Sequence, residues 1–168
     1  MSFRASGLLS RRVLNIGMTI AIAQGNPTDP QVTRMIAESD RYYADLYPAE
    51  SNHLLEPKSL LAPNVSFFVA RDADVICGFG AVVATPPYGE IKRMYVDKSA
   101  RGRGIGRDIL LAIERRAREL KLTQLRLETG VRQPEAIALY ATHGFAEIGP
   151  FGDYAADPLS IFMEKPLD

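Results

Sequence analysis

The 168-residue sequence has few of the residues from which disulfides and common metal centres are built. Cys77 is the only cysteine, and it lies within the apolar run VICGFGAVV, so no internal disulfide can form and we expect a buried, inert thiol. The two histidines, His53 and His143, lie far apart and belong to no recognisable ligand spacing. The sequence therefore predicts neither a structural nor a catalytic metal.

Long apolar runs are also missing. No stretch approaches the roughly 20 residues that a membrane helix needs, and no obvious secretion signal is present. Residues 1–17 contain arginines and serines but no acid, as transit peptides do. We interpret them as a flexible extension, because Met18 opens the strand-like run MTIAIA and could begin the domain by itself. The sequence predicts a cytoplasmic protein with no membrane partner, consisting of the N-terminal extension 1–17 and a single domain, 18–168.

The formal net charge is zero, but the charge is unevenly distributed. Basic residues outnumber acidic ones between Ile91 and Arg126, whereas the stretch from Pro27 to Asp74 is more acidic. A neutral protein with one cationic zone suits a small polyanionic ligand better than a nucleic-acid duplex, so we expect no nucleic-acid partner. The alternative, that many of these arginines form only the solvated side of a helix, stays open.

Hydrophobic periodicity and turn residues predict the order of elements. After the first strand, NPTDPQ begins a helix that Pro48 ends, and residues 47–64 are irregular or short-helical because prolines interrupt them. Three strands joined by short turns follow, which predicts an antiparallel meander. The later elements are a helix that begins at a glycine-rich turn, a strand, a helix from Pro134 and a last strand. The predicted strands after the first are Val65–Arg71, Val75–Ala84, Glu90–Val96, Thr123–Thr129 and Leu159–Lys165.

These elements predict an α+β sandwich around one mixed, mostly antiparallel sheet of six or seven strands, flanked by about four helices. In the strand Glu90–Val96, Lys92 and Arg93 are adjacent polar residues between the apolar Ile91 and Met94. Strict alternation fails there, which favours a β-bulge.

The stretch KSARGRGIGRDIL places Gly102, Gly104 and Gly106 between a predicted strand and a predicted helix. A helix N-terminus in that position can bind a phosphate through free N–H groups and its dipole. The dinucleotide pattern G-x-G-x-x-G fails because Arg107 stands where it needs glycine, and no Gly-Lys-Ser/Thr follows for a P-loop. A turn that binds nothing remains the alternative.

The pattern R-x-x-G-x-G is present at Arg101, Gly104 and Gly106. With the run Glu90–Gly130 and the later segment PEAIALYATHGF, it resembles the acyl-CoA-binding core of the GNAT superfamily of N-acetyltransferases. The resemblance extends from Met18 to the C-terminus and is sharpest from Glu90 to Phe145. It implies a GNAT-like fold, acetyl-CoA as co-substrate, and direct transfer of an acetyl group to a primary amine of a small molecule or peptide. It also allows a homodimer. The alternative is a non-catalytic acyl-CoA-binding or sensing module.

The resemblance also implies a coenzyme site. Backbone N–H groups of residues 103–106 hold the pyrophosphate in the family, and the thioester lies between two splayed strands, here Glu90–Asp97 and Thr123–Thr129. Gln133 stands where many members have asparagine, and its longer amide puts that contact in doubt. The implied coenzyme-binding residues are Met94, Tyr95, Val96, Arg101, Gly102, Arg103, Gly104, Ile105, Gly106 and Gln133.

Acetyl transfer to an amine needs a group that accepts the amine proton and a group that stabilises or protonates the leaving thiolate. By resemblance, Tyr140 is the general acid and Glu90 the general base, and Glu128 competes with Glu90 for that role. Cys77 offers no good nucleophile for a covalent intermediate. The predicted acceptor-binding residues are Tyr43, His53, Glu128 and Tyr154.

Overall fold

The structure, a computed structural model, describes residues 20–168. The predicted extension 1–17 and the first two residues of the predicted first strand, Met18 and Thr19, lie outside the described residues. The elements in chain order are β1 (Ile20–Gln24), α1 (Pro30–Leu46), β2 (Val65–Asp72), β3 (Val75–Thr85), β4 (Tyr88–Val96), α2 (Ile105–Glu119), β5 (Gln124–Gly130), α3 (Pro134–Thr142), β6 (Ala146–Ile148) and β7 (Ser160–Pro166).

The predicted order of elements is confirmed, with two differences. The described residues contain three α-helices, so the prediction of about four was wrong. Residues 47–64, predicted to be irregular or short-helical, form only the 3-10 turns Ala49–Ser51 and Pro57–Leu61 between α1 and β2 and no fourth α-helix. Prolines at 48, 57 and 63 prevent a longer helix there, because proline lacks an N–H and clashes with the preceding turn. The strand β6 was not identified individually, since three residues show no periodicity.

The seven strands form one sheet in the order β1-β2-β3-β4-β5-β7-β6. Strands β2 to β4 form the predicted antiparallel meander, β1 extends it by pairing antiparallel with β2, and β5, β7 and β6 form a second antiparallel group. The two groups meet at the parallel pair β4–β5. A parallel neighbour requires a crossover connection, which α2 supplies.

The helices cover both faces of the sheet. On one face, Val32 and Ile36 of α1 pack with Phe79 and Tyr95. On the other, Ile105, Ile109 and Ile113 of α2 join a core that also contains Tyr140 of α3. The Asp29 carboxylate accepts a hydrogen bond from the Gln31 N–H at 2.8 Å, and Pro30 occupies the first turn, as the sequence predicted for the start of α1.

Strands β4 and β5 separate part-way along their length. Their paired residues run from Tyr88 opposite Gln124 to Ile91 opposite Leu127, and the pairing ends there although both strands continue. The predicted splay between these two strands is therefore present, and it opens a gap in the middle of the sheet.

The predicted bulge in β4 is also present. Phe79 of β3 pairs with Tyr95, whereas Ala81 pairs with Lys92, so one residue of β3 is opposite two of β4. Arg93 has the left-handed backbone conformation, with φ of 59°. Such a bulge interrupts the alternation of side chains, so that two consecutive residues lie on one face of the sheet.

Candidate active site

A cleft of about 690 Å³ lies at the gap between β4 and β5. Its walls come from the C-terminal end of α1, residues 51–55, residues 91–96 of β4, the glycine-rich turn before α2, the end of β5, and α3 with the residue before it. The splay brings these parts together, because a fully paired sheet would leave no space between the two strands.

The glycine-rich turn forms one end of the cleft. Gly102 and Gly104 have φ of 80° and 77°, the left-handed region that favours glycine, and Gly104 is the N-cap of α2. A Cβ on Gly106 would lie 3.4 Å from a methyl carbon of Leu139, so the turn also fits closely against α3. The first amides of a helix have no intrahelical acceptor. The residues present therefore fit a pyrophosphate, and its binding at this turn stays a prediction.

The arginines around this turn do not all face the cleft. Arg101 lines it, with its guanidinium carbon 5.3 Å from the ring centroid of Tyr42 and 5.8 Å from that of Tyr95. The side chain of Arg103 instead forms an ion pair of 2.9 Å with Asp72 of β2. Arg101 thus supplies positive charge to the cleft, whereas Arg103 is not among the cleft-lining residues, and its backbone contact with the coenzyme stays a prediction.

Tyrosines from the end of α1 reach across the gap. The Tyr43 hydroxyl donates to the carbonyl of Met94 at 2.9 Å, and burial raises the pKa of Tyr43 to about 12. The Tyr47 hydroxyl donates to Oε1 of Gln133 at 3.4 Å and accepts from the N–H of Arg132 at 3.0 Å. Tyr43, predicted to bind the acceptor, lines the cleft and also fixes the splayed part of β4.

Gln133, a predicted coenzyme contact, lines the cleft at the start of α3. Its Oε1 atom accepts from the N–H of Gly130 at 3.3 Å as well as from Tyr47. The side chain therefore holds the turn between β5 and α3 against α1.

Tyr140 lies on α3, is 4% exposed and lines the cleft. Its ring packs edge-on against Phe145, with 5.5 Å between centroids. Burial raises the pKa of Tyr140 well above its ordinary value, and the neighbouring Tyr43 and Glu128 raise it further. The phenol is therefore protonated at neutral pH and can donate a proton into the cleft.

The two candidate bases have different surroundings. Glu128 lines the cleft, and burial raises the pKa of its carboxyl group, although the Ser160 hydroxyl opposes this shift. Glu90 is not among the cleft-lining residues; its carboxylate accepts from the Tyr154 hydroxyl at 2.5 Å and lies 3.3 Å from Nζ of Lys92. Its role as general base stays a prediction.

The other predicted acceptor residues lie near these carboxylates. His53 lines the cleft and packs perpendicular to Tyr154, with 5.3 Å between ring centroids. Tyr154 lies behind His53 and is not itself a lining residue. Burial raises the pKa of Tyr154, and the hydrogen bond to Glu90 raises it further.

Tyr42, a further aromatic candidate for the acceptor pocket in the sequence, lines the cleft and packs under Arg101. Sequence reasoning missed Leu55, which belongs to the wall formed by residues 51–55, because the irregular sequence there gives no signal for individual side chains. Within residues 20–168, no cluster of three or more His, Cys, Asp or Glu side chains could hold a metal ion. None of the described helices has the length and apolarity to cross a membrane.

Comparison with known proteins decides the family. Residues 32–145 match the model of the acetyltransferase (GNAT) family. The chain belongs to the GNAT family. The resemblance found in the sequence is thus confirmed. This GNAT protein is an acetyl-CoA-dependent acetyltransferase, so the alternative of a non-catalytic binding module is removed.

Individual relatives extend this result. An IAA acetyltransferase from Azospirillum brasilense is 51% identical over 150 residues, which cover 88% of this chain and 98% of the relative. The N-acetyltransferase YsnE from Bacillus subtilis is 34% identical, covering 83% of this chain and 95% of its own length. The crystal structure of an acyl-CoA N-acyltransferase from Klebsiella pneumoniae superposes with a TM-score of 0.76 and 36% identity, covering 90% of this GNAT chain and 99% of that one.

Proposed function

We propose that this GNAT enzyme transfers an acetyl group from acetyl-CoA directly to a primary amine of a small molecule or peptide, with Glu128 as general base and Tyr140 as general acid. The observation that carries the assignment is that both side chains line one cleft at the β4–β5 gap. Burial raises the pKa of both groups, which makes the carboxylate a stronger base and keeps the phenol protonated before the reaction.

Glu128 and Tyr140 carry the proton transfers that the proposed reaction needs. The Glu128 carboxylate takes a proton from the ammonium form of the acceptor, and the free amine nitrogen attacks the thioester carbonyl. The C–S bond breaks as the C–N bond is completed, and the Tyr140 phenol gives its proton to the departing thiolate. The second amine proton restores the Tyr140 phenol, and Glu128 releases its proton to solvent, so that one proton is liberated for each acetyl group transferred. No covalent enzyme intermediate forms, because Cys77 is buried within β3, and burial raises the pKa of its thiol.

The electrostatics of the acceptor side support an amine. Lys92 is paired with Glu90, with side chains 16% and 15% exposed respectively. Two carboxylates line the cleft, the half-buried Glu128 and the exposed Glu135 in the first turn of α3. Because Glu90 is paired with Lys92, Glu128 is the half-buried carboxylate available to an acceptor in the cleft. A cationic amine would be attracted to that carboxylate before it loses its proton.

A thiol-release assay tests the proposal. We expect the purified protein to release free coenzyme A from acetyl-CoA only when a suitable acceptor is added, because water is a poor substitute for a bound amine. The panel comprises primary amines of small molecules, peptide amines and IAA, the compound in the name of the Azospirillum brasilense relative. Tight coenzyme binding without turnover on any amine would contradict the proposed reaction.

Replacing Gly104 by valine should weaken acetyl-CoA binding about ten-fold or more. A Cβ at this residue requires a strained left-handed backbone and would lie 3.3 Å from the Arg107 guanidinium, so the turn must shift at the place where amides face the pyrophosphate. Isothermal titration calorimetry with acetyl-CoA measures the loss.

The control for this substitution is Gly149→Val. A Cβ on Gly149 would have no neighbour within 4 Å, so the same change of side chain should leave acetyl-CoA affinity near the wild-type value. Circular dichroism melting checks that both variants are folded. An unchanged affinity in folded Gly104→Val would show that the glycine-rich turn does not hold the coenzyme.

A further inference from the structure

Lys92 and Arg93 are consecutive in the chain but lie on the same face of the sheet. Ile91 and Met94 pack into the core on the α2 face of the sheet. On the α1 face, Arg93 contacts Asp40 and Lys92 contacts His53. The bulge at Arg93 produces this arrangement, because it interrupts the alternation of side chains.

Both cations bind the same neighbouring segment. Nζ of Lys92 donates to the carbonyl of His53 at 3.2 Å, and Nε of Arg93 donates to the carbonyl of Leu55 at 2.7 Å. Residues 51–55, which we call the acceptor wall, line the cleft and contain no α-helix or strand. Two charge-assisted hydrogen bonds to alternate carbonyls therefore hold an otherwise irregular segment against β4.

The remaining contacts of these cations are also with the protein. Lys92 forms its ion pair with Glu90 and donates to the Tyr154 hydroxyl, which brings the loop before β7 to the same place. An ammonium has three N–H donors, and its three partners account for them. The side chain of Arg93 is 2% exposed and pairs with Asp40. Both cations are thus occupied in building the site.

We propose that Lys92 and Arg93 are positioning residues that fix the acceptor wall and thereby restrict the acceptor to small amines. This inference rests on the proposed function. The wall forms the side of the cleft next to Glu128, so its distance from β4 sets the space in which an amine can approach that carboxylate. Releasing it would widen the pocket and reduce its contacts with a small acceptor.

Lys92 has a second effect, on the proposed base. Its positive charge favours the ionised form of Glu128. The titratable and polar groups that face Glu128 come from every surrounding element: Tyr47 after α1, His53 of the acceptor wall, Glu90 and Lys92 of β4, Tyr140 of α3, Tyr154 and Ser160. Removing the Lys92 charge leaves the Glu90 charge unopposed, and both changes favour protonated Glu128.

The test compares Lys92→Met, which keeps a long apolar side chain, with the wild type on one small amine that the wild type acetylates. We expect the KM for the amine to rise about ten-fold and the KM for acetyl-CoA to stay within about two-fold, because the lost contacts are on the acceptor side. The acidic limb of the kcat/KM profile should move to higher pH, since protonated Glu128 cannot act as base. Lys92→Arg should restore the position of that limb.

Lys58→Met is the matched control, because Lys58 lies just beyond the acceptor wall and its side chain is 84% exposed. It should leave both KM values and the pH profile unchanged. Hydrogen–deuterium exchange of residues 51–55 in Arg93→Lys, which loses the Nε donor, should be faster than in the wild type. This second measurement needs no turnover and applies even if Lys92→Met is unstable.

The outcomes separate this inference from the proposed function. If the wild type acetylates no amine, the proposed function fails. If the wild type is active but Lys92→Met keeps the wild-type amine KM and pH profile, the positioning role is overturned. Unchanged exchange of the acceptor wall in Arg93→Lys would equally overturn it for Arg93.

Discussion

Glu128→Gln should lower kcat about 100-fold or more, the range expected when a general base is removed. The amide keeps the shape of the side chain but cannot take a proton from an ammonium group. Steady-state kinetics at saturating acetyl-CoA and amine measure the loss, and the KM for acetyl-CoA should change little because Glu128 lies on the acceptor side.

The pH dependence gives an independent check. The pKa of Glu128 is raised by burial, so the wild-type rate should fall as pH decreases through that raised value, and the same acidic limb should be missing in Glu128→Gln. Glu147→Gln, on the exposed strand β6, is the matched control and should keep full activity.

Glu90→Gln decides between the two carboxylates. If Glu128 is the base, this variant should lose activity mainly through the KM for the amine, since Glu90 holds Tyr154 and Lys92 beside the cleft. A 100-fold loss of kcat in Glu90→Gln with near-normal kcat in Glu128→Gln would assign the base to Glu90 instead.

Tyr140→Phe should lower turnover at least ten-fold while leaving acetyl-CoA affinity nearly intact. The ring still fills the space beside Phe145, so packing is kept and only the proton donor is lost. Turnover is measured by thiol release and affinity by calorimetry. The loss of turnover should be largest for acceptors whose rate is limited by departure of the thiolate.

Tyr88→Phe is the control for this substitution, because Tyr88 packs against Phe151 and under the Arg126 guanidinium, outside the cleft. Removing its hydroxyl should not change turnover. An unchanged rate in Tyr140→Phe would remove Tyr140 from the mechanism and leave the thiolate to be stabilised by other groups.

Much of the fold could be predicted because its signals are local. Prolines and glycines mark the ends of α1 and α3, and apolar spacing identifies α2. The bulge was predicted for the same reason, since two adjacent polar residues in a strand break its alternation. The helix count was wrong because irregular sequence between α1 and β2 does not reveal how many short turns it contains.

The candidate site was less predictable, since its details depend on contacts between distant residues. Glu90 and Glu128 are both acidic residues on neighbouring strands, and only the packing of Tyr154, 64 residues later, shows that Glu90 is already engaged. Likewise, nothing near Arg103 in the sequence indicates that its side chain turns to Asp72. The residue types of the site follow from sequence, but their orientations require the tertiary structure.

The short β4–β5 pairing is the only hydrogen-bonded connection in the described sheet between its four-stranded group and its three-stranded group. Four residue pairs, from Tyr88 with Gln124 to Ile91 with Leu127, join one four-stranded half to a three-stranded one. Beyond Ile91 the backbone N–H and C=O groups of β4 and β5 do not bond to one another. Acetyl-CoA bound in this gap would offer hydrogen-bond partners to those groups. We therefore expect the two groups of strands to be held together more rigidly when acetyl-CoA is bound between β4 and β5 than after coenzyme A has left.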